Sequence, residues 1–514
     1  MSADTVWKFE NRWMIEGLLT TSAPLHIGNG ETIDRPLKED KNSGNKEPVK
    51  VNAVITDHQG KPFIPGSTIK GNLRSWMDGR FDDAFLENIF GTKKVEKDRD
   101  VKGGRTEFHC AYLKQAPSGY ESPQYDAETV TEITIGIAID RRTRTVSDGK
   151  LYHQLVVPPG ADFSLRITGQ NMAEEEITAL LKGLDGFNNS TERLALGSGA
   201  SDGWGRLKWK LQKVGFLGKD EALAWLDSGA QSTGYAITGR DRTDEFRRKI
   251  ANDNAPTKHD ANMLRLELEL QFNGLFLVND PARVIESDDK DKKTPDHMPR
   301  IINDGSKHGK ALLPASSFRG AFRSQAERIA RTIGKKACRV DDKVSRCKPV
   351  FSVKEKKKLC IACRTFGAAG WKTPLFISDF VQTNQAVTLD QEFVAIDRFT
   401  GGSRDGAKFN ARGFVDPVLK GSITVDTSRI SQAEAGLLAL TLRDLIEGDI
   451  TFGFGSAKGY GACTAQVVSA TLPKAPDWLQ KNGMEKIVWK DGDDHAPLRN
   501  AAACFVQTFC EVAQ

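Results

Sequence analysis

The sequence predicts an α+β fold present twice in tandem, each copy carrying helices on one face of an antiparallel sheet. Two observations carry this. Segments that alternate apolar and polar residues, "WMIEGLLTTSAPLHI" near the start and "LRLELELQFNGLFLV" past the midpoint, read as half-buried strands. Each precedes a helical pattern and then further strands, the order of a helix-on-sheet sandwich. The second observation is that three motifs recur in one order at nearly constant spacing. "FIPGSTIKGNLRS" aligns with "LLPASSFRGAFRS" (Gly71 with Gly320, 249 apart), "IAIDRRTRTVSDGKLY" with "VAIDRFTGGSRDGAKF" (Asp140 with Asp397, 257 apart), and "LGSGASDGWGRLKW" with "FGFGSAKGYGACTA" (Gly203 with Gly459, 256 apart). Such a set marks a duplicated domain.

Each element follows in order. After the first strand, "NGETIDRP" is a Gly-punctuated loop holding Asp34; in the second copy the nearest counterpart is Asp296 in "TPDHMPRI", with Asp288, Asp289 and Asp291 as competitors. Next, Ser67 and Ser316 stand at the entrance of helical patterns, an N-cap arrangement. Strands and a glycine-rich segment close each copy. Residues 1–235 are assigned to the first domain, the polar, aliphatic-poor 236–262 to a linker, 263–468 to the second domain and 469–514 to a C-terminal extension. A length of 514 residues exceeds one ordinary core, in keeping with this division.

Composition narrows the function. With 39% hydrophobic and 27% charged residues, no long apolar run and no secretory pattern at the N-terminus, the expectation is a cytoplasmic protein. The net charge is only +5, yet Lys335 to Arg364 holds eleven Lys/Arg against three Asp/Glu, a patch that suits a solvated face or a polyanion. Neither glycine segment fits a phosphate loop or a dinucleotide turn, which disfavours a nucleotide-hydrolysing enzyme.

Three groups of residues carry candidate chemistry. Ser67, Lys70 and Arg74, and again Ser316, Arg319 and Arg323, fall at i, i+3 and i+7, one helix face beside an N-terminus, which suits a phosphate. Gly203 with Trp204 and Gly459 with Tyr460 offer close backbone approach and an aromatic platform, although a tight hairpin is the commoner use of such loops. Cys338, Cys347, Cys360 and Cys363, within a basic insertion of about 335–364, have the count and the C-x-x-C knuckle of a closed four-ligand structural zinc site. His26 reads as an RNA contact or a core residue, with Phe276 opposite it in the second copy. Each aspartate alone reads as a turn former, unless phosphates lie beside it.

In their order, "LHIGNGETIDRP", "IPGSTIKGNLR", "IFG", "IAIDRRTRTVSDGKLY" and "GSGASDGWGR", repeated as "LLPASSFRGAFR", "CRTFG", "FVAIDRFTGG" and "GFGSAKGYG", resemble the RAMP superfamily, in particular backbone subunits of type III CRISPR effectors. Two such domains in one chain are similar to the fused backbone subunit of a type III-D variant. The resemblance implies RRM-type, ferredoxin-like palms that bind guide crRNA, with β-hairpin thumbs near 140–152 and 397–409. It adds Arg141 and Arg398 on those thumbs as RNA contacts, and puts the target-cutting aspartate at Asp34, with Asp296 in the second copy. It implies Mg²⁺ or Mn²⁺ for RNA cleavage, and as partners crRNA, target RNA, other backbone subunits, a large polymerase-like subunit and a small subunit. A non-cutting scaffold, a free-standing RAMP endoribonuclease that processes precursor crRNA, and an RNA-binding module outside CRISPR stay open beside this reading.

Overall fold

The computed structural model describes residues 8–35, 48–92, 102–120, 122, 124–140, 146–189, 194–227, 240–252, 262–284, 294–302, 308–338, 346–481, 484–494 and 496–511. Arg141, Asp288, Asp289 and Asp291 lie outside these residues. The chain is mixed α and β, and its two halves are built alike.

The first half centres on a sheet in the strand order Arg240–Asp241, Leu207–Gly218, Asn11–Thr21, Asp162–Gln170, Ala111–Gln115, Phe63–Ile64, with Thr106–Phe108 also on Asp162–Gln170. In the second half Ile487–Lys490, Cys463–Leu472, Met263–Phe272, Val418–Asp426, Phe380–Gln382 and Lys310–Leu313 repeat that order, with Leu375–Ile377 on Val418–Asp426 and one further strand, Ile301–Ile302, at the edge. Even the irregularities match. The central strand slips register against its neighbour between Glu16 and Gly17 in one half and between Glu267 and Leu268 in the other, where a bulge adds local twist.

Helices pack on one face of each sheet because their apolar residues recur every fourth position. Gly66–Met77 buries Ile69, Leu73 and Met77, and Ala315–Thr332 buries Phe318, Phe322, Ala326 and Ala330. Both contribute to separate hydrophobic cores, one per half. The serines are not caps. Pro65 and Pro314 hold the N-cap positions without side-chain hydrogen bonds, and Ser67 and Ser316 are the second residues inside their helices.

Two segments expected outside the repeats belong to them. Arg240–Asp241 pairs with the last strand of the first sheet, and the helix Thr243–Asn252 puts Phe246, fully buried, into the first core, 5.6 Å from the Trp13 ring. Arg242 and Lys249 tie that helix to Glu174. The C-terminal residues copy this plan: Ile487–Lys490 extends the second sheet, and the helix Ala496–Glu511 lies on Gln432–Ile446 with Phe509 fully buried. A Cβ on Gly436 would stand 2.1 Å from the Phe505 carbonyl oxygen, so glycine is needed for that approach. Among the described residues no helix is long and apolar enough to cross a membrane.

Each half also carries a projecting hairpin. Thr131–Ile139 and Val146–Val156 pair antiparallel in a five-stranded sheet that includes Gly28–Arg35 and Val49–Val54; Thr388–Ile396 and Ser403–Val415 form the second hairpin with Leu275–Phe276.

Candidate functional site

The two cation-bearing helices are used differently. In the first, Ser67 is exposed, Lys70 and Arg74 are half-buried, and no described residue pairs with either cation. In the second, Arg319 is buried and its guanidinium donates to the carbonyls of Ser201 (3.0 Å), Leu375 (3.4 Å) and Phe366. Arg323 donates to Glu327 Oε1 at 2.9 Å, to the Gly367 carbonyl at 3.0 Å and to Cys363 Sγ at 3.3 Å. The Ala315 N–H at that helix start donates to Asp379 Oδ1 at 2.8 Å, so a carboxylate already sits where an anion would bind. The expectation of a phosphate site on Arg319 and Arg323 is therefore corrected: both are spent on protein groups. Strand register puts Cys110 at the position of Asp379 in the first half, since Ala111 pairs with Ile64 as Phe380 pairs with Leu313. Among the described residues the first helix start has no such carboxylate hydrogen-bonded to it.

Ser201 belongs to the first glycine loop, so Arg319 also joins the halves. Arg206 completes the junction, donating to the Ile377 carbonyl at 2.9 Å and lying 3.6 Å from Asp379. Gly203, with φ of +90°, sits against Ala315 and Asp379, where a Cβ would come within 3.2 Å of the Ala315 Cβ. That glycine serves the junction.

Each loop turns through a short 3-10 helix, Ala200–Asp202 or Ser456–Lys458, and sits on the segment that follows the central strand of its half. Ser198 N–H donates to the His26 carbonyl and Phe454 N–H to the Leu277 carbonyl, which makes Leu277, not Phe276, the counterpart of His26. His26 is a core residue. It is 6% exposed, its Nδ1 lies 2.6 Å from the Leu155 carbonyl, and burial pushes its imidazole below the usual range against the raising effect of that hydrogen bond. Trp204 is half-buried and stacks over Gly199. Tyr460, in contrast, is 1% exposed and donates its hydroxyl to Gln391 Oε1 at 2.9 Å, so it is no platform for a base. Gly459 is exposed, beside Lys458, whose ammonium lies over the rings of Phe393, Phe409 and Phe454.

Asp34 is exposed on the strand Gly28–Arg35, opposite Lys50 on Val49–Val54. That neighbour runs parallel to the hairpin strand, pairing Val51 with His153 and Asn52 with Gln154. The aspartate strand and the hairpin thus share one sheet. Asp296 is placed otherwise. His297 makes a parallel bridge to Ala411, and Asn279 bridges Pro299 as Gly28 pairs with Val54, which aligns Asp296 with Val51 rather than with Asp34. The expected equivalence is corrected, and the true counterpart of Asp34 falls outside the described residues. Asp296 accepts the Asn410 N–H at 2.9 Å and so fastens the base of the second hairpin. At that hairpin's tip Asp397 accepts the N–H groups of Phe399 and Thr400, leaving Arg398 and Phe399 exposed.

Four sulfurs meet in the insertion. Those of Cys338, Cys347, Cys360 and Cys363 all lie within 4.8 Å of one another, with 3.2 Å between Cys338 and Cys363 and 3.8 Å between Cys338 and Cys360. Four thiolates at about 2.3 Å from a tetrahedral zinc stand roughly 3.8 Å apart, so the set can hold that ion. Amide N–H groups of Cys360 and Cys363 point at the sulfurs of Cys347 and Cys360, and Arg323 supplies a positive charge, as a tetrathiolate requires. Hydrogen bonding among the Cys338, Cys360 and Cys363 sulfurs holds the Cys360 thiol well below the usual thiol range. The reach of Arg319 to Phe366 and of Arg323 to Cys363 and Gly367 explains why the arginine spacing alone misled: spacing names a helix face, not what covers it.

Residues 18–208 and 297–464 match the RAMP superfamily, one stretch in each half. The chain belongs to the RAMP superfamily. Both matched stretches include the hairpin and the glycine loop of their half. This RAMP chain is also 25% identical over 215 residues to the CRISPR system Cms endoribonuclease Csm3 of Methanocaldococcus jannaschii, covering 38% of this chain and 78% of that protein. That coverage is about the length of one repeat.

Proposed function

We propose that the chain is a double backbone subunit of a type III CRISPR effector, of the fused type III-D kind, which holds crRNA and cuts paired target RNA at Asp34. The observation that carries the reading is that Asp34 is exposed on a strand hydrogen-bonded into the same sheet as the first hairpin. Family membership and the likeness to an endoribonuclease support it. Ser67, Lys70 and Arg74 hold guide phosphates in this reading, and base pairing supplies sequence, so the protein needs only backbone contacts. A hairpin wedged into the duplex splays out the target nucleotide beside it. Its 2′-oxygen then attacks the adjacent phosphorus, its proton passes to the Asp34 carboxylate, and the 5′-oxygen leaves and takes a proton from water. The products are a 2′,3′-cyclic phosphate and a 5′-hydroxyl.

Among the described residues no ligating side chain is grouped with Asp34, so Mg²⁺ or Mn²⁺ there would be held by Asp34 together with substrate phosphates and would supply charge stabilisation; the step above is routed through the carboxylate alone. Zinc fits the four cysteines, where it would staple the insertion without an open position for catalysis. In the second half Arg319, Arg323 and Asp296 are engaged within the protein, so a cut there would rest on Asp288, Asp289 or Asp291, which lie outside the described residues. Free-standing processing of precursor RNA would call for a histidine base, and buried His26 gives that reading no support.

The test is the cleavage ladder of the reconstituted complex. Asp34→Ala is expected to remove one product, by roughly 100- to 10,000-fold in rate, with assembly and target binding intact, whereas Asp296→Ala leaves the ladder whole. An unchanged ladder with Asp34→Ala would reduce the first half to a scaffold as well.

A further inference from the structure

The insertion has a built core and an exposed outer face. Val350, Leu359, Ala362 and Trp371 are buried around the four cysteines. Gly370, at φ of +78°, closes this core where a Cβ would lie 1.8 Å from the Val350 carbonyl oxygen. The short 3-10 helix Val353–Lys358 is fastened at its inner side by Lys356, which donates to the Arg429 carbonyl at 2.7 Å and pairs with Glu434 at 3.2 Å. Toward its outer side Glu355 accepts the Phe351 N–H at 2.8 Å and pairs with Lys358 at 2.5 Å. Lys354 and Lys357, three residues apart and therefore aligned in a 3-10 helix, are exposed with no described partner, and Lys348, three residues before Phe351, is exposed as well. Next to these cations Phe351 is 90% exposed and Val353 77%.

A nearly bare aromatic ring on a rigid support costs apolar exposure with no return inside the fold. Bordered by ammonium groups, it has the two parts of a single-strand site: a surface on which any base can stack and charges that track phosphates. The same insertion draws Arg323 inward to Cys363 and Gly367. The second half thus loses a helix cation and gains an exposed basic face on the segment that took it. We propose that Phe351, with Lys348, Lys354 and Lys357, forms a binding site for single-stranded RNA. The ring stacks on a base and the lysines meet the flanking phosphates, independently of sequence and of Asp34.

The experiment uses the full chain, with the first-half site removed by Lys70→Ala and Arg74→Ala, and a 4-thiouridine-bearing oligouridine that has no complement in any guide. Expected are a photo-crosslink on the peptide that contains Phe351, binding about tenfold weaker with Phe351→Ala, and recovery with Phe351→Trp. Lys354→Gln with Lys357→Gln should flatten the dependence of log affinity on log salt by about 0.7 per cation. Affinity, slope and crosslink unchanged in all these variants overturn the proposal. The reading of the first half fails by a different sign, namely guide RNA that co-purifies equally with and without Lys70 and Arg74.

Discussion

Helix Gly66–Met77 and helix Ala315–Thr332 descend from one ancestor, share a buried stripe and place cations at the same turns, yet their cations do opposite work. In the first, Lys70 and Arg74 have no described partner; in the second, Arg319 satisfies carbonyls on both sides of the junction and Arg323 braces a sulfur cluster. The difference teaches that duplication frees one copy to turn an open cationic face into a structural one. What decides the outcome is the neighbour: Asp379 and the insertion face the second helix, while Cys110 stands in for Asp379 at the first.

The comparison breaks most severely at the sulfurs. Cys360→Ser, or a strong chelator, should unfold the insertion and release Arg323, with limited proteolysis cutting near 346–358 while the first half stays resistant. Next in size, Arg319→Ala leaves the Phe366 and Leu375 carbonyls without their charged donor and should cost about 3 kcal/mol in denaturant unfolding. Lys70→Ala, its counterpart, should move stability by less than about 0.5 kcal/mol while weakening RNA binding. A smaller change sharpens the contrast from the other side. Cys110→Asp would set a carboxylate at the first helix start, and RNA affinity should fall by roughly five- to tenfold at low salt, recovering with Cys110→Asn.

The smallest expected effect is in pH. His26, His153 and His297 are each lowered from the usual histidine value, in every case chiefly by burial. Such groups bind a proton more readily when unfolded, so their contribution is complete above the unfolded value near 6.5 and is lost as pH falls below it. The melting temperature should drop between pH 7 and pH 5.5, and His26→Gln should reduce the drop.

Much of this architecture was legible in residue order. Three motif pairs reported the duplication, period-two alternation gave the central strands, and the cysteine count gave the sulfur cluster. The misreadings have physical causes. Asp296 looked like Asp34 because both precede a helix by a similar polar stretch, but Gly28 to Val54 and Asn279 to Pro299 differ in length, and only hydrogen-bond register aligns them. Residues 240–252 read as linker because a two-residue strand leaves no alternation to detect, and one aromatic, Phe246, carries most of the helix's burial. Tyr460 lies between glycines as Trp204 does, yet a hydrogen bond to Gln391 and a ring of phenylalanines draw it inside.

The junction of Arg206, Asp379, Arg319 and Ser201 runs one way, from the loop of the first half to the helix of the second. A head-to-tail contact that does not close on itself propagates without limit if both ends carry every part of it. Here neither end does. The loop of the second half has Ala462 where Arg206 stands, and the helix of the first half faces Cys110 in place of Asp379. Tethering brings the two halves together at an effective concentration in the millimolar range, enough for a modest contact to hold. The contact is therefore particular to this ordered pair: the loop of the second half and the helix of the first lack the residues that would repeat it.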